Sequence, residues 1–480
     1  MSIYVRDFED IAGAALANLA HPHRIAPGNF SSLRNIRIEN GTLAKRPGTK
    51  WQATSSEALR VLKIKMGYNQ AGSIVNRLVA CGTKVQYISG TTLVDVVSHP
   101  AMTTGLPPEI EFYGNVFYYS NGVDTQRQIS NTATPTSSAW TLSGLPAAFI
   151  PTAMTMHKDR MYVLDDDDMY MSSFGNPLTY DVTEAYKIPG DKSGRYVTTI
   201  KSFGDWIGLF AGDYWLSMKG TGIFSHRIQH IPKGPPLIAP RGVIEYNGLA
   251  IAITTEGLLR WDGSSPPRNL DPRNQINWNN MNFKTKNFTF LARDEDHVYL
   301  FFQHKGSANV ASATVAAPPR GLVTSVYGAS SRLRNISRSV APVAAPANVQ
   351  HYYAINMENG KVSGPHDGKF SCAEWEDWNL NDEHNLWVGS SQSDGKVYKM
   401  NQADVWVDEY GDTGVNSGNG LTYPCEIITG GLHGVGAEGE SSMDACSVEL
   451  IRIKATAQPS PSGVLEVQVA YNEEIDRPAV

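Results

Sequence analysis

A short apolar run, a turn and a second apolar run recur along the chain from about residue 60 to residue 400. The runs are rich in Val, Ile, Tyr, Phe or Trp and end at Gly, Asn or Asp, a pattern that predicts β-hairpins. The mean separation of the turns, about 45 residues, is that of one four-stranded propeller blade. The predicted turns lie at Gly82, Asn115, Asp159, Gly212, Gly248, Asp296, Gly360 and Gly395.

The turn spacing is irregular, so the repeat is degenerate and differs from a WD-type or kelch array. We therefore predict an all-β protein with a degenerate β-propeller, and an irregular stack of β-sandwich hairpins is the alternative. The segment Ala252 to Pro266 is the clearest blade. In it, Glu256-Gly257 is expected to form a tight turn, while the ring of Trp261 packs between blades and Asp262 caps the following turn.

Composition supports this fold class and excludes others. Charged residues make up only 18% of the 480 residues, whereas aromatic residues make up 10%. A long-helix or coiled-coil protein would be rich in Glu, Lys, Ala and Leu at helical spacing, and a disordered chain would be poor in aromatic residues. The chain is also rich in turn formers, with 43 Gly and 27 Pro.

Both ends of the chain carry strand patterns outside the repeat. From about Thr422 onward, apolar and polar residues alternate with period two, and the stretch Asn29 to Trp51 has the same character. We predict that both ends form one β-sandwich-like platform, in or on which the propeller is inserted. The expected domains are 1–60 with an N-terminal helix and platform strands, 61–405 as the propeller, and 406–480 as C-terminal platform strands.

A basic segment at 307–349 interrupts the propeller pattern. It is rich in Ala, Ser, Val and Pro, and no Asp or Glu occurs between His297 and Met357. We interpret it as an inserted arm or long loop, either a solvated flexible insertion or a contact to a neighbouring subunit or to DNA. The arginines that would make such a contact are Arg320, Arg332, Arg334 and Arg338.

Motifs for chemistry are weak throughout. The GxGxxG match at Gly434 to Gly439 precedes a strand-like stretch, so we interpret it as a hairpin loop and predict no cofactor. The run Asp165 to Asp168 is expected to be a solvated acidic turn, since consecutive strand residues point to opposite faces and cannot converge on one metal ion. The cysteines Cys81, Cys372, Cys425 and Cys446 form no CxxC pair.

One acidic, Trp-rich stretch leaves a saccharide site open. Trp375, Trp378 and Trp387 lie among carboxylates, which is how a glycan-binding cleft or a glycosidase site looks. The alternative is that these tryptophans pack between blades. A glycosidase would draw its carboxylates from Glu374, Glu376 or Asp382.

Net charge and hydropathy limit the partners. A net charge of -6 argues against a protein that coats nucleic acid, but not against one through which nucleic acid passes. No apolar run approaches the length of a membrane-spanning helix. The N-terminal apolar stretch Ile11 to Ala20 follows acidic residues, so it is expected to form a short helix and not a signal peptide.

The stretch Gly28 to Trp51 carries a family resemblance. It predicts a strand, an Asn40-Gly41 turn and a second strand stopped by Pro47-Gly48. This hairpin resembles the N-terminal signature of the tail nozzle proteins of short-tailed bacteriophages, also called tail tubular B-type or packaged-DNA stabilisation proteins. The stretch Tyr246 to Gly263 is similar to that family's propeller blades. The matching hairpin positions are Asn35, Gly41, Leu43, Lys45, Arg46, Pro47 and Gly48.

The resemblance implies a virion structural protein without enzymatic activity, assembled in the host cytoplasm. It implies a homo-hexameric ring that continues the portal-adaptor channel, contacts tail needle or fibre proteins, and forms the distal DNA-ejection channel and its gate. Double-stranded DNA would pass through without sequence-specific binding. The alternative function is a propeller-type glycan-binding protein or depolymerase of the tail.

Overall fold

The computed structural model describes residues 30–39, 42–103, 107–146, 149–165, 168–181, 185–187, 199–210, 215–220, 226–231, 234–271, 275–282, 289–304, 350–376, 384–402 and 426–429. Within these ranges the chain is built of β-strands, with a single-turn 3₁₀ helix at Trp278–Asn280. The four strands nearest the N-terminus are β1 (Phe30–Arg34), β2 (Ile36–Glu39), β3 (Thr42–Lys45) and β4 (Gly48–Ser55).

The following strands form six antiparallel propeller blades in which chain neighbours pair. Blades 2 to 6 are separate sheets, whereas blade 1 is one half of an eight-stranded sheet that it shares with the last blade. Blade 1 contains β5 (Val61–Tyr68), β6 (Ile74–Cys81), β7 (Lys84–Ser89) and β8 (Thr92–Asp95). Blade 2 contains β9 (Glu109–Tyr113), β10 (Val116–Ser120), β11 (Arg127–Ser130) and β12 (Ser137–Ala139). Blade 3 contains β13 (Ala153–His157), β14 (Arg160–Asp165), β15 (Asp168–Ser173) and β16 (Asn176–Tyr180), with β17 (Tyr186–Lys187) beside β15.

The second half of the ring repeats this plan. Blade 4 contains β18 (Thr199–Phe203), β19 (Trp206–Phe210), β20 (Trp215–Lys219) and β21 (Arg227–Ile231). Blade 5 contains β22 (Val243–Tyr246), β23 (Leu249–Thr254), β24 (Gly257–Trp261) and β25 (Arg268–Asn269). Blade 6 contains β26 (Phe290–Arg293), β27 (His297–Gln303), β28 (Gln350–Asn356) and β29 (Val362–Gly368). The remaining strands are β30 (Phe370–Glu376), β31 (Asn385–Ser390), β32 (Lys396–Gln402) and β33 (Glu426–Thr429).

The last blade is completed by a strand from the N-terminal end of the chain. Strands β30, β31 and β32 pair in order, and β4 pairs antiparallel with β32 as the fourth strand. The end of β4 also pairs with β8 of blade 1, through Thr54 and Ser55. The propeller therefore recruits a strand from within the range 1–60, and this strand joins its first and last blades.

Contacts between first strands close the seven blades of the described residues into a ring. The first strand of each blade contacts the first strand of the next, and β30 of blade 7 contacts β5 of blade 1. Buried apolar clusters lie between blades, as where Trp215 and Phe210 of blade 4 meet Trp261 of blade 5. These contacts confirm the predicted propeller and supply its blade number.

The predicted turns and caps are confirmed wherever they fall in the described residues. Gly82, Asn115, Asp159, Gly248, Gly360 and Gly395 have positive φ and lie in hairpin turns, and Asp296 connects β26 to β27. Gly212 lies outside the described residues. Asp262 accepts hydrogen bonds from the backbone N–H groups of Ser264 and Ser265, and Trp261 is buried.

The paired strands β1 and β33 lie on the outside of blade 6. Strand β1 pairs antiparallel with β33, so one strand from each of the two predicted platform regions takes part in a common sheet. Strands β2 and β3 form a hairpin, here called the platform hairpin, and β1 and β2 both contact β29. Phe30, Leu33 and Ile36 are buried in the apolar cluster that also contains side chains of blades 5 and 6.

The predicted basic insertion belongs to blade 6. Strands β27 and β28 pair along their whole length, from His297 opposite Asn356 to Gln303 opposite Gln350. The segment 307–349 therefore departs from the connection between the second and third strands of one blade. The segment itself, with Arg320, Arg332, Arg334 and Arg338, lies outside the described residues, as do the expected N-terminal helix and the Gly434 to Gly439 match.

Candidate functional site at the junction of the platform hairpin and the propeller

A buried polar cluster fixes the platform hairpin to blade 6. It consists of Asn35, Arg46 and Asp367 and is here called the junction cluster. Asn35 and Arg46 flank the hairpin, and the backbone N–H of Arg46 donates to the backbone oxygen of Asn35 at 3.0 Å. Asn35 has a φ of 58°, a left-handed conformation that Asn tolerates better than most side chains. This backbone turn brings the two flanking side chains to the same point.

Arg46 is almost fully buried, with 1% exposure, and its guanidinium binds three oxygens. Nε donates to Asn35 Oδ1 at 3.0 Å, Nη1 to the backbone oxygen of Pro47 at 3.1 Å, and Nη2 to the backbone oxygen of Asp367 at 3.1 Å. A buried guanidinium is costly to desolvate unless its N–H groups are bonded. The arginine of the family-like signature is thus an internal anchor in this chain, and its charge is not available to an external partner.

Asp367, at the end of blade 6, links the same cluster to β1. Its Oδ2 accepts from Asn35 Nδ2 at 2.8 Å, and its backbone N–H donates to Asn35 Oδ1 at 2.8 Å. Arg34 Nη2 lies 3.1 Å from Oδ1, and His351 Nδ1 lies 3.3 Å from the same oxygen. Burial alone would raise the pKa of Asp367, but the His351 ring, the Asn35 amide and the Arg34 charge outweigh it and hold that pKa well below its ordinary value.

A second contact ties the platform hairpin to blades 6 and 7. Arg37 is buried and donates from Nη2 to Oδ1 of Asn401 at 2.6 Å, and its guanidinium lies 5.8 Å from the ring centre of Tyr299. Asn401 Nδ2 in turn donates to the Tyr299 hydroxyl at 2.8 Å. The hairpin is thus held by two buried arginines, Arg37 within β2 and Arg46 directly after β3.

The other signature positions lie in the backbone around this cluster. Leu43 and Lys45 are in β3, where they pair with Ile38 and Ile36, and Gly48 begins β4. Pro47 separates the two strands and contributes its carbonyl to Arg46. Gly41 lies outside the described residues. The signature residues described here therefore act as a structural connection.

The carboxylates considered for a glycosidase are held in ion pairs with blade 1. Lys65 Nζ lies 3.2 Å from Glu374 and 3.7 Å from Glu111. Burial by itself lowers the pKa of Lys65, but these two carboxylates outweigh it and raise that pKa. The buried Glu376 accepts from Trp387 Nε1 and lies 3.0 Å from Arg77 Nη2.

The remaining sequence candidates are not brought together. Asp382 and Trp378 lie outside the described residues. Asp165 and Asp168 pair as the last and first residues of β14 and β15, which confirms that the acidic run connects two strands. Cys81 and Cys372 are buried and free, and burial raises the pKa of both thiols. Among the described residues no group of three His, Cys, Asp or Glu could hold a metal ion, and no helix is long and apolar enough to cross a membrane.

The sequence did not identify Asp367, the residue that receives the platform hairpin. It lies in the stretch Gly364 to Phe370, which contains Pro, His, Asp and Lys but no pattern that marks an anchor. Its partner Asn35 is 332 positions away in the chain. The sequence pointed to this cluster only through Asn35 and Arg46. Once buried, these two polar side chains need hydrogen-bond partners from another part of the chain.

Comparisons with known proteins add no family. No family model and no curated protein matches the chain. Among solved structures, the chain is similar to YCF48 bound to D1 peptide, with 10% identity, a TM-score of 0.40, and coverage of 73% of this chain and 96% of that one. It is also similar to PorZ of Porphyromonas gingivalis, with 9% identity, a TM-score of 0.39 and coverage of 74% and 38%. For U3-55K the identity is 6%, the TM-score 0.40 and the coverage 72% and 96%. The propeller assignment rests on the closed ring of blades described above.

Proposed function

We propose that this chain is the protomer of a hexameric tail nozzle in the virion of a short-tailed bacteriophage. Six copies would form a ring that continues the portal-adaptor channel and provides the distal DNA-ejection channel and its gate. The ring would also contact tail needle or fibre proteins. In this proposal the protein is assembled in the host cytoplasm and no residue performs chemistry.

The observation that carries the proposal is the signature hairpin and the place where it is anchored. The hairpin resembles that of the nozzle family, and its Arg46 and Asn35 bond to blade 6 inside a buried cluster. Strand β1 beside it pairs with β33 from the other end of the chain. A platform tied this firmly to a propeller suits a subunit that must keep its shape while DNA moves past it.

Charge is consistent with a passage that does not retain DNA. Each phosphate that a protein neutralises adds affinity through counterion release, so a channel should present few unpaired cations. The chain has a net charge of -6.

The mass of the assembled particle tests the proposal directly. Six chains of 52.5 kDa make a ring of about 315 kDa, which native mass spectrometry of the purified protein would resolve. Electron-microscope projections should then show six-fold symmetry around a central hole. A stable monomer at micromolar concentration, even with the adaptor protein present, would contradict the proposal.

The depolymerase alternative has its own test. It needs two carboxylates about 5–9.5 Å apart and open to substrate, whereas Glu374 and Glu376 are both engaged with cations of blade 1. Incubation of the purified chain with host polysaccharide would decide the matter. A loss of polymer length that disappears in Glu374→Gln or Glu376→Gln would favour the enzyme over the nozzle.

A further inference from the structure

A pocket of about 280 Å³ opens between blades 6 and 7, beside the platform hairpin. It is here called the blade 6–7 pocket, and it shares Arg37 and Asn401 with the contact between the platform hairpin and blades 6 and 7 described above. Its volume is near the lower end of the range for small-molecule sites, which suits a ligand of one ring. The lining residues are Arg37, Asp294, Glu295, Asp296, His297, Trp375, His384, Leu386, Met400 and Asn401.

Trp375 supplies a flat aromatic wall. It lies between Glu374 and Glu376 in β30, so it points to the opposite face of the strand from those two carboxylates. Its ring stacks with His384 at 5.8 Å between centres and 19° between planes. Leu386, paired with Trp375 across the strands and itself almost fully buried, also lines the pocket. An aromatic wall beside apolar side chains is suited to the C–H face of a sugar ring.

Polar groups on the facing side are fixed before any ligand binds. Asn401 has a φ of 60° and is held between Arg37 and the Tyr299 hydroxyl. Asp294 accepts at Oδ1 from the backbone N–H groups of Asp296 and His297, at 3.0 and 2.7 Å. Because these side chains are already bonded to protein, a ligand would not have to order them, which lowers the entropic cost of binding.

The charge of the rim selects among ligands. Glu295 and Asp296 are exposed at the tip of the β26–β27 hairpin, and Asp294 lies beside them. Burial alone would raise the pKa of Asp294. The hydrogen bond and charge of His297 and the hydrogen bond from the Tyr299 hydroxyl outweigh burial and lower that pKa, so this carboxylate is ionised at neutral pH. Three carboxylates face one guanidinium and the two imidazoles of His297 and His384, and this excess of acidic groups disfavours an anionic ligand.

We propose that the blade 6–7 pocket binds a single neutral or amino-substituted sugar unit, which stacks on Trp375 and whose hydroxyl groups reach the acidic rim. The pocket binds and does not cleave. This activity is separate from the nozzle proposal, since it requires only the folded propeller. A uronic or sialic acid of the same size is excluded by the carboxylates.

Saturation-transfer NMR on the full-length protein tests this with three probes of similar size. N-acetylglucosamine and glucosamine should receive saturation, with dissociation constants of about 1 mM, and glucuronate should receive none. The double variant Glu295→Gln/Asp296→Asn should bind glucosamine at least about tenfold more weakly and should gain binding of glucuronate. A control with the same charge change, Asp205→Asn/Glu256→Gln on blades 4 and 5, should bind all three probes as the parent does.

Removal of the aromatic wall is the second arm. Trp375→Leu should abolish transfer to N-acetylglucosamine, whereas Trp206→Leu on blade 4 should leave it unchanged. If Trp375→Leu does not fold, the charge variant still decides. The proposal is overturned if neither neutral nor amino sugar binds at about 10 mM, if the rim variant binds as the parent does, or if a peptide of residues 326–342 binds there and no sugar does.

Discussion

Replacement of Arg46 by Met tests whether the junction cluster holds the platform to the propeller. Methionine keeps a similar length and apolar stem but removes the guanidinium. The side chain is 1% exposed, so the change leaves three oxygens, those of Asn35, Pro47 and Asp367, without the donor that they bind in the parent.

The expected loss follows from these contacts. Each hydrogen bond to a charged donor contributes about 1.5–3 kcal/mol to stability, and the variant loses three of them. The variant also avoids the cost of desolvating a guanidinium, which offsets part of that loss. We expect a net loss of about 4 kcal/mol in the free energy of unfolding, which lowers Tm by about 5 °C in a chain of this size. Arg46→Lys should lose about half as much, because one ammonium cannot reproduce a planar fork with several donors.

Differential scanning calorimetry of the purified chain is the assay, and Arg268→Met is the matched control. Arg268 lies exposed in β25 of blade 5, so the same substitution there should change Tm by less than about 1 °C. If Arg46→Met lowers Tm no more than Arg268→Met does, the junction cluster does not stabilise the fold and the reasoning fails.

Three further experiments give distinct readouts. Asp367→Asn should lower Tm at neutral pH. The difference in Tm between this variant and the parent should shrink below about pH 4, because a carboxyl group with a lowered pKa stabilises the fold only while it is ionised. A constant difference in Tm down to pH 2 would contradict this. Burial and the nearby Lys158 lower the pKa of His157 to about 4. NMR spectra should therefore show His157 titrating near pH 4 and not near pH 6.5, and the parent protein should lose stability as the pH falls from 6.5 to 4. Gly144→Ala should lower the free energy of unfolding in urea by about 3 kcal/mol, because the new Cβ would lie 2.0 Å from the Tyr180 backbone oxygen. Gly360→Ala, where a Cβ would meet open space, should lower it by only about 1 kcal/mol. Equal losses in the two variants would refute the steric argument.

The hairpins could be predicted from the sequence because their signals are local. Gly82 and Asn115 have positive φ, a conformation that Gly and Asn adopt more readily than other residues, so their residue types marked the turns. The apolar runs beside them are strands in the structure. The number of blades could not be counted in the same way. Asp296 and Gly360 are both turns of blade 6, while most other blades contributed one recognisable turn each. The spacing of turns is irregular because the strongest turn signal falls in different hairpins of different blades.

The candidate site depended on contacts that no local pattern encodes. The arginine-proline-glycine stop predicted an extended chain at Arg46, but not that its side chain is buried against Asp367. The acidic, Trp-rich stretch drew attention to Trp375, which lines the blade 6–7 pocket. It could not show that the neighbouring carboxylates point the other way, because that depends on which strand face meets blade 1.

Ring closure and platform docking occur at one point of the chain, and this makes them a single cooperative unit. Strand β3 ends at Lys45 and β4 begins at Gly48, so only Arg46 and Pro47 separate the platform hairpin from the strand that closes blade 7. The closing pair, β4 with β32, joins residues about 345 positions apart, a long-range contact with a high loop-closure entropy that an anchor beside it lowers. Arg46 supplies that anchor two residues before β4 begins. A force applied to the platform hairpin would therefore act on the junction cluster before it acts on β4. We expect β4 to stay paired with β32 as long as Arg46 remains bonded to Asn35 and Asp367.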